Sequence, residues 1–462
     1  MEAQAIAYER GPWREEVAAT LRLALPLILT NLAHIAIVTT DIVMIGTLGP
    51  HALAAAALAA ALEFTVWMFG VGVVTAVAPM VAQARGRGRD VVRETRRTVQ
   101  QGLWAATLVS IPAMAVLAAA GPGLRAMGQD PALVADTESY IWGLLWSIAP
   151  GLWFVTLRTF LAALERPRPA AVVTVVAIFF NAAAAWSLIH GALGLPALGL
   201  FGAGVAATAS SLLMGGCMAA VVALDGSIAR YRVLARLWRP DWQRLRELMV
   251  IGLPIGAMMV AECALFSGAT LLMGLIGTDA VAAHQIALQC AGVTFMVPLG
   301  VGQAATVRVG LAIGRGDRAG AARAGWTAFM LGVGFMAAMG LVFLTAPGPL
   351  VGLFIDRSLP EAAATVPLAI GFLFFAAVFQ VFDGAQVIGA GALRGLKDTG
   401  VPMLIATVGY WAVGFPLAAG LAFAAGWGGP GIWIGLTAGL AVVALLLVTR
   451  FAARTWVGAT LR

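Results

Sequence analysis

Apolar runs long enough to cross a bilayer follow one another along almost the whole chain, and this decides most of what it can fold into. A spanning helix needs about 20 consecutive, mostly apolar residues, because the hydrocarbon core is roughly 30 Å thick. Between breaks rich in Arg, Gly or Pro, twelve such runs can be read, near 23–46, 53–82, 98–120, 139–164, 170–191, 200–224, 248–276, 281–312, 325–347, 366–393, 401–424 and 428–450. Of 462 residues, 61% are apolar and 11% charged, whereas soluble domains carry charge on about a quarter of their residues. A soluble fold cannot hide that much apolar surface. Disorder, coiled coil and nucleic-acid binding are excluded by the same composition. The chain reads as an all-α polytopic membrane protein with twelve transmembrane helices and no large extramembrane domain.

A net charge of +7 would suggest a nucleic-acid partner in a soluble protein, but here the placement of the charges explains it. Arg10, Arg14 and Arg22 precede the first span, and Arg85, Arg87, Arg89, Arg93, Arg96 and Arg97 follow the second. Arg166 and Arg168 follow the fourth span, and Arg230, Arg232, Arg236, Arg239, Arg244 and Arg246 the sixth. The eighth is followed by Arg315, Arg318 and Arg323, the tenth by Arg394 and Lys397, and the last by Arg450, Arg454 and Arg462. The alternate loops hold only Arg125 and Arg357, each beside acids such as Asp130, Asp356 and Glu361. Basic loops stay in the cytoplasm, so both termini are expected there. The first twenty residues carry four acids and two arginines, unlike a signal peptide, and the first span is expected to be retained. Cys217, Cys263 and Cys290 all sit in apolar runs and form no C-x-x-C or disulfide framework, so they say nothing of redox compartment.

The chain also matches itself at an offset of 228 residues. LeuPro at 25–26 meets LeuPro at 253–254, VMIGTLGPHALAAAALA (43–59) meets LLMGLIGTDAVAAHQIA (271–287), and Gly86-Arg87-Gly88 meets Gly314-Arg315-Gly316. Later, LERPRPA (164–170) echoes LKDTGVP (396–402) more loosely. Six spans per half in the same orientation make a parallel repeat about the membrane normal, an arrangement that places a substrate site between the halves. The expected organisation is an N-lobe over 1–225, a cytoplasmic linker over 226–246 rich in Arg and Trp, and a C-lobe over 247–462. This is the plan of a two-lobed transporter.

Four of the 22 acids fall within spans: Asp41, Glu63, Glu262 and Asp383. Arg158 lies well inside the fourth span. An ionised group at the bilayer centre costs roughly 2.5–3.5 kcal/mol on insertion scales, so such groups are functional candidates. The ordinary alternative is local pairing or snorkelling, which applies most to Asp41 and Glu63, and Arg158 is available to neutralise one acid. Glu262 (in AECALF) and Asp383 (in FQVFDGAQ) sit deeper. At the repeat offset Glu262 falls on His34 and Asp41 on Ala269, so the halves share backbone signals and differ in charge, which suits a separate task for each lobe. A carboxyl removed from water can exchange a proton near neutral pH, and paired acids with backbone carbonyls give hard oxygen ligands for an alkali cation. Competition between such an ion and an organic cation for one carboxylate is the simplest route to antiport.

Other polar residues in spans, among them Asn31, Thr39, Thr40, Asn181, Gln285, Gln303, Gln380 and Gln386, read first as helix glue, with ligation the alternative. Arg308 reads as an anchor at the end of its span. For His34 a packed imidazole and an ion or substrate role both stay open. Pro26 and Pro254, paired by the repeat, are expected to bend spans one and seven as hinges or to free carbonyls for a cation. No H-E-x-x-H, G-x-S-x-G or G-x-x-x-x-G-K-[ST] occurs, so neither an enzyme nor an ATP-driven pump is indicated. GRGRD and GRGD are connectors.

TTDIVMIGTLG, FGVGVVTAVAPMVAQARG, MGQDP, LRTFLAALERPRP, FNAAAAWSLIHGALGLPALGLFGAGVAAT and PLGVGQAATVRVGLAIGRGD, in that order, resemble the multidrug and toxic compound extrusion (MATE) family over essentially the whole chain, and within it the NorM branch. The resemblance implies two six-helix lobes and an inner-membrane antiporter that exports cationic drugs and dyes against Na+ or H+ by alternating access. It implies that Glu262, Asp383 and Asp41 match the branch's coupling acids, with Na+ held transiently at Glu262 and Asp383, and that Asn181 matches its span-five Asn. The DinF branch has an Asp where this chain has Ala185, so that branch's N-lobe proton site is incomplete here. Asp41, Asn181, His34 and Gln285 are the candidate substrate and N-lobe polar residues. No cofactor or structural metal is expected beyond the coupling ion, no nucleic-acid partner, and no signal for more than a monomer. The rival reading is a lipid-linked precursor flippase of the same superfamily, a function that wants a cationic cavity, whereas the deep charges here are four acids to one arginine.

Overall fold

Inside hydrocarbon every backbone N–H and C=O must be satisfied within its own segment, so continuous apolar runs become helices. In a computed structural model that describes residues 2–192, 194, 196–235, 237–355 and 362–456, with side chains described from Trp13 onward, twelve helices are long and apolar enough to cross a membrane. They are α1 Trp13–Gly46, α2 Pro50–Arg87, α3 Val91–Ala126, α4 Pro131–Ala163, α5 Arg168–His190, α6 Gly199–Leu224, α7 Trp242–Ile276, α8 Thr278–Gly314, α9 Arg318–Thr345, α10 Thr365–Gly395, α11 Gly400–Ala424 and α12 Gly429–Thr455. No strand occurs among the described residues. Each apolar run coincides with one helix, and the helices mostly reach further, because hydrogen bonding continues after hydropathy has fallen. Thus α3 already begins at Val91. Arg236, Asp356, Arg357, Glu361 and Arg462, and the side chain of Arg10, lie outside the described residues.

Four helices are irregular, α3 among them with a turn at Ala119 between Val91–Ala118 and Ala120–Ala126. In α2 a turn at Thr75–Ala76 separates Pro50–Val74 from Val77–Arg87. A 3-10 turn at Leu145–Ser147 precedes Pro150 in α4, and α11 carries two π-helical segments, Gly409–Gly414 and Gly420–Ala424. Pro26 and Pro254 lie inside unbroken helices. A proline there cannot donate to the carbonyl four residues earlier.

The repeat is visible in backbone geometry. Gly49 and Gly277, and Gly88 and Gly316, all have positive φ at the offset read from sequence. In the looser match, Glu165 and Lys397 both take φ 60°. The turns around them close identically: Glu165 N donates to Ala162 O and Arg166 N to Leu161 O, as Lys397 N does to Arg394 O and Asp398 N to Leu393 O. The GRGD segment is a connector, and its Asp317 caps α9 by accepting from Gly320 N at 2.7 Å.

Packing divides the chain differently from the lobe ranges 1–225 and 247–462. One compact unit is Met1–Ile28 with Ala261–Arg462, and the other is Leu29–Val260. The sequence offset assigns whole helices to halves, whereas the first parts of α1 and α7 pack with the opposite half. In the first unit Ile28 lies against Gly300 of α8, and Arg308 meets Glu16 in a two-pronged pair at 2.8 and 2.7 Å. Arg308 is therefore an internal tie as well as an anchor. Removing one partner of a buried ion pair costs about 3–5 kcal/mol. We expect Glu16→Ala to lower the unfolding free energy of the detergent-purified protein by the lower end of that range, read as a fall in the unfolding midpoint, with Glu16→Gln falling between it and wild type.

In the second unit the segment read as a linker is a packed strap. Ile228, Tyr231 and Val233 are buried, and α3 holds the backbone with side chains spaced four apart, which share a helix face. Arg96 donates to Tyr231 O at 3.0 Å, Gln100 to Ala235 O, and Trp104 to Leu237 O at 2.7 Å. Asp241 accepts from Arg97 at 2.6 Å, and that bond holds its carboxyl below the usual carboxylate range. Arg244 closes the strap on Glu94 at 2.8 Å and Thr98 at 3.0 Å.

Candidate functional site

In the unit containing most of the second half, α7, α10 and α11 bring one polar cluster together. Gln386 stands one turn beyond Asp383 on α10, and its amide donates to Asp383 Oδ1 at 3.1 Å and to Glu262 Oε1 of α7 at 2.8 Å. The Tyr410 hydroxyl of α11 donates to the Gln386 carbonyl oxygen. Tyr410 lies in the first π segment of α11, and such bulges occur frequently at functional sites. The adjacent Trp411 donates to Ala261 O at 3.3 Å and so ties α11 to the backbone beside Glu262. Asp383, Gln386 and Tyr410 are buried, while Glu262 is half-buried and offers the cluster's open side. Neither acid has an ion-pair partner within 4 Å among the described residues; Arg394, at the end of α10, is the cation whose field reaches Glu262. Two carboxylates linked by one neutral amide leave room in their charge balance for a cation or a proton.

In the other unit Asp41 of α1 accepts from the Asn181 amide of α5 at 2.5 Å, and the Asn181 carbonyl accepts from Ser210 of α6 at 2.7 Å. Asn181 is fully buried and Asp41 half-buried. Thr39 and Thr40 bond back to their own helix at Ile35 O and Ala36 O. Among the described residues Arg158 pairs with no acid: its guanidinium reaches Asn31 Oδ1 at 3.5 Å and its field falls on His34. His34 stacks on Trp67 at 6.5 Å between ring centres, and so belongs with Arg158 and Asn31 rather than with the Asp41–Asn181 bond.

Gln285 sits in the first unit, where its amide meets Thr270 Oγ1 at 3.5 Å. Gln380 is glue, accepting from Thr294 at 3.0 Å and donating to Met336 O at 3.1 Å. Sequence reasoning passed over Tyr410, Tyr140 and Ser210. The signal for the tyrosines was present, since of the chain's four only Tyr140 and Tyr410 fall within spans.

Comparison with known proteins agrees with this architecture. The MatE family model matches residues 26–187 and again 254–419, two copies that start at the repeated prolines Pro26 and Pro254. The chain is 52% identical over 442 residues to a probable multidrug resistance protein NorM of Mesorhizobium japonicum, covering 96% of this chain and 95% of that one. It is 47% identical to a probable NorM of Brucella suis, covering 95% and 93%. Its fold is that of the crystal structure of the eukaryotic MATE transporter AtDTX14 (TM-score 0.84, 21% identity, covering 96% of this chain and 99% of that one). It is likewise that of an outward-facing multidrug resistance MATE family transporter of the MOP superfamily (TM-score 0.85, 18% identity, covering 95% and 96%). The chain belongs to the MatE family: it is a multi-pass membrane transporter, not an enzyme, and in bacteria its place is the inner membrane.

Proposed function

We propose that the protein is a multidrug efflux antiporter that exports organic cations in exchange for Na+ or H+ by alternating access, with both termini in the cytoplasm. The relatives at 52% and 47% identity are named as probable multidrug resistance proteins. The observation that carries the coupling is the Glu262–Gln386–Asp383 bridge, two intramembrane acids on separate helices joined through one amide. Carboxylate oxygens suit an alkali cation, and a desolvated carboxyl is equally able to take a proton. Either ion would sit on Glu262 and Asp383, while Asp41 with Asn181 would supply an N-lobe site for a proton or the drug. His34 and Gln285 remain secondary candidates for contact with substrate, and Pro26 and Pro254 for flexing α1 and α7. The protein would act as a monomer, with no cofactor beyond the coupling ion.

The test uses purified protein in liposomes loaded with a fluorescent organic cation. Sodium and proton gradients are imposed separately, with the membrane potential clamped. Movement driven by sodium and lost in Glu262→Gln assigns coupling to the second-half acids. Movement driven only by protons and lost in Asp41→Asn moves coupling to the first half and leaves Glu262 as a drug contact. Absence of movement under both gradients would overturn the antiport reading.

A further inference from the structure

The unit that holds the Glu262–Gln386–Asp383 bridge also encloses an aromatic pocket that plays no part in it. His284 of α8 and Trp433 of α12 are both fully buried, and their rings meet edge to face at 5.4 Å between centres. Phe379 and Phe372 of α10 pack on the same indole at 5.5 and 6.3 Å, and Phe266 of α7 closes on Phe379 at 6.0 Å. All five side chains belong to one compact unit. α8 is tied to α10 both before and after His284, where Thr365 donates to Asp279 at 2.8 Å and Thr294 to Gln380 at 3.0 Å.

This enclosure contains polar atoms that no side chain answers. His284 Nδ1, His284 Nε2 and Trp433 Nε1 are buried with no hydrogen-bond partner among the described residues. No other described side chain has two such atoms, and here a third lies on the ring in contact with it. Burying a polar group without a hydrogen bond is unfavourable, which is why nearly all are paired. A ring face can weakly accept the indole N–H, and the edge-to-face neighbours of Trp433 supply such faces. The imidazole cannot be served that way. In either neutral tautomer one of its nitrogens is a bare acceptor that needs an N–H or O–H donor, and Phe372 and Phe379 carry none. The charged form would need two acceptors, and no acid reaches His284 within hydrogen-bonding distance among the described residues.

We propose that this pocket is a binding site for resident water, with one molecule accepting from Trp433 Nε1 and donating to the bare nitrogen of His284. Water is the ligand that fits. It is donor and acceptor at once, as an N–H facing a lone pair requires, and it is small enough for a pocket whose rings His284, Trp433, Phe372 and Phe379 are all buried. A buried water ordinarily makes about three hydrogen bonds to otherwise unsatisfied groups, and the remaining imidazole nitrogen calls for a second molecule. A metal ion does not fit, since no group of three His, Cys, Asp or Glu side chains able to hold one occurs among the described residues. The water thereby joins α8 to α12 through their side chains.

The experiment is radiolytic footprinting of the detergent-purified protein. Synchrotron irradiation makes hydroxyl radicals from water in place, so a side chain sealed from bulk is oxidised only where water lies against it. Oxidation is read by mass spectrometry, and each rate is divided by that of the denatured protein. Trp433 and His284 are expected to be oxidised, while Phe160 and Phe451, which are buried as deeply, stay unlabelled. His284→Phe removes both ring nitrogens and should abolish the Trp433 label, whereas His284→Gln, which keeps a donor and an acceptor, should retain it. Phe160 and Phe451 also report the fold: label there identifies a variant that has opened, and the wild-type comparison then decides. Wild-type Trp433 and His284 as silent as the two phenylalanines, label on all four, or a Trp433 label unchanged in folded His284→Phe would overturn the site.

Discussion

Glu262→Gln and Asp383→Asn are each expected to reduce gradient-driven efflux to the background of empty liposomes, with the protein still folded and inserted. Both changes keep side-chain size and hydrogen-bonding capacity. Gln386 donates at 2.8 Å to Glu262 and 3.1 Å to Asp383, and an amide oxygen at either place can still accept. What is lost is the negative charge, which is the feature a coupling ion needs. Stability separates this from a structural role. An ionised group at the bilayer centre costs roughly 2.5–3.5 kcal/mol, so a neutral variant is expected to unfold at the same temperature as wild type or higher. A lower unfolding midpoint together with lost transport would make the acids structural, and wild-type transport in both variants would remove them from the coupling site. Tyr410→Phe removes the hydroxyl that fixes the Gln386 carbonyl. It should weaken the apparent ion affinity without abolishing transport, measured as the ion concentration giving half-maximal efflux.

The parts of this protein that sequence made legible are those governed by one-dimensional quantities. Hydropathy over about 20 residues locates a span whatever lies beside it, and the repeated Gly and Pro positions mark turns that recur in space, as Gly88 with Gly316 and Glu165 with Lys397 do. The intramembrane acids stood out because charge in lipid is rare. Pairing was not legible, because it depends on helix rotation and tilt. Gln386 has the sequence profile of Gln380, yet one bridges two acids on different helices and the other ties Thr294 to a backbone carbonyl. Tyr410 in an apolar run looks like a packing residue, yet its hydroxyl donates to Gln386. Ala269, the repeat partner of Asp41, is fully buried, so the second half fills that place with packing. The boundaries of the compact units were hidden for the same reason: nothing in α1 or α7 marks where a continuous helix changes its packing partners.

Gly391→Ala should cost more stability than the addition of a methyl group suggests. Gly391 lies about two helical turns beyond Asp383 on the same face of α10, where α10 meets α8 backbone to backbone. A Cβ there would fall inside van der Waals distance of Gly302 O, and only 2.9 Å from its carbonyl carbon and 3.0 Å from its Cα. Thr306 Oγ1 also donates to Gly391 O at 2.8 Å, so any separation of the two helices strains a buried hydrogen bond. Overpacking of a core typically costs about 1–3 kcal/mol, and the upper end applies where the obstacle is backbone with no rotamer to adopt. The control is Gly334→Ala in α9, an exposed helical position with nothing within 4 Å of the added Cβ, where Gly to Ala stabilises a helix by roughly 0.5–1 kcal/mol. The two substitutions should therefore shift the unfolding midpoint in opposite directions. Because α8 and α10 together set where Asp383 stands, the Gly391→Ala protein that remains folded should also bind the coupling ion more weakly, whereas Gly334→Ala should bind it as wild type does. Equal midpoints for the two variants would mean that α8 and α10 are not in the close contact that holds Asp383 in place.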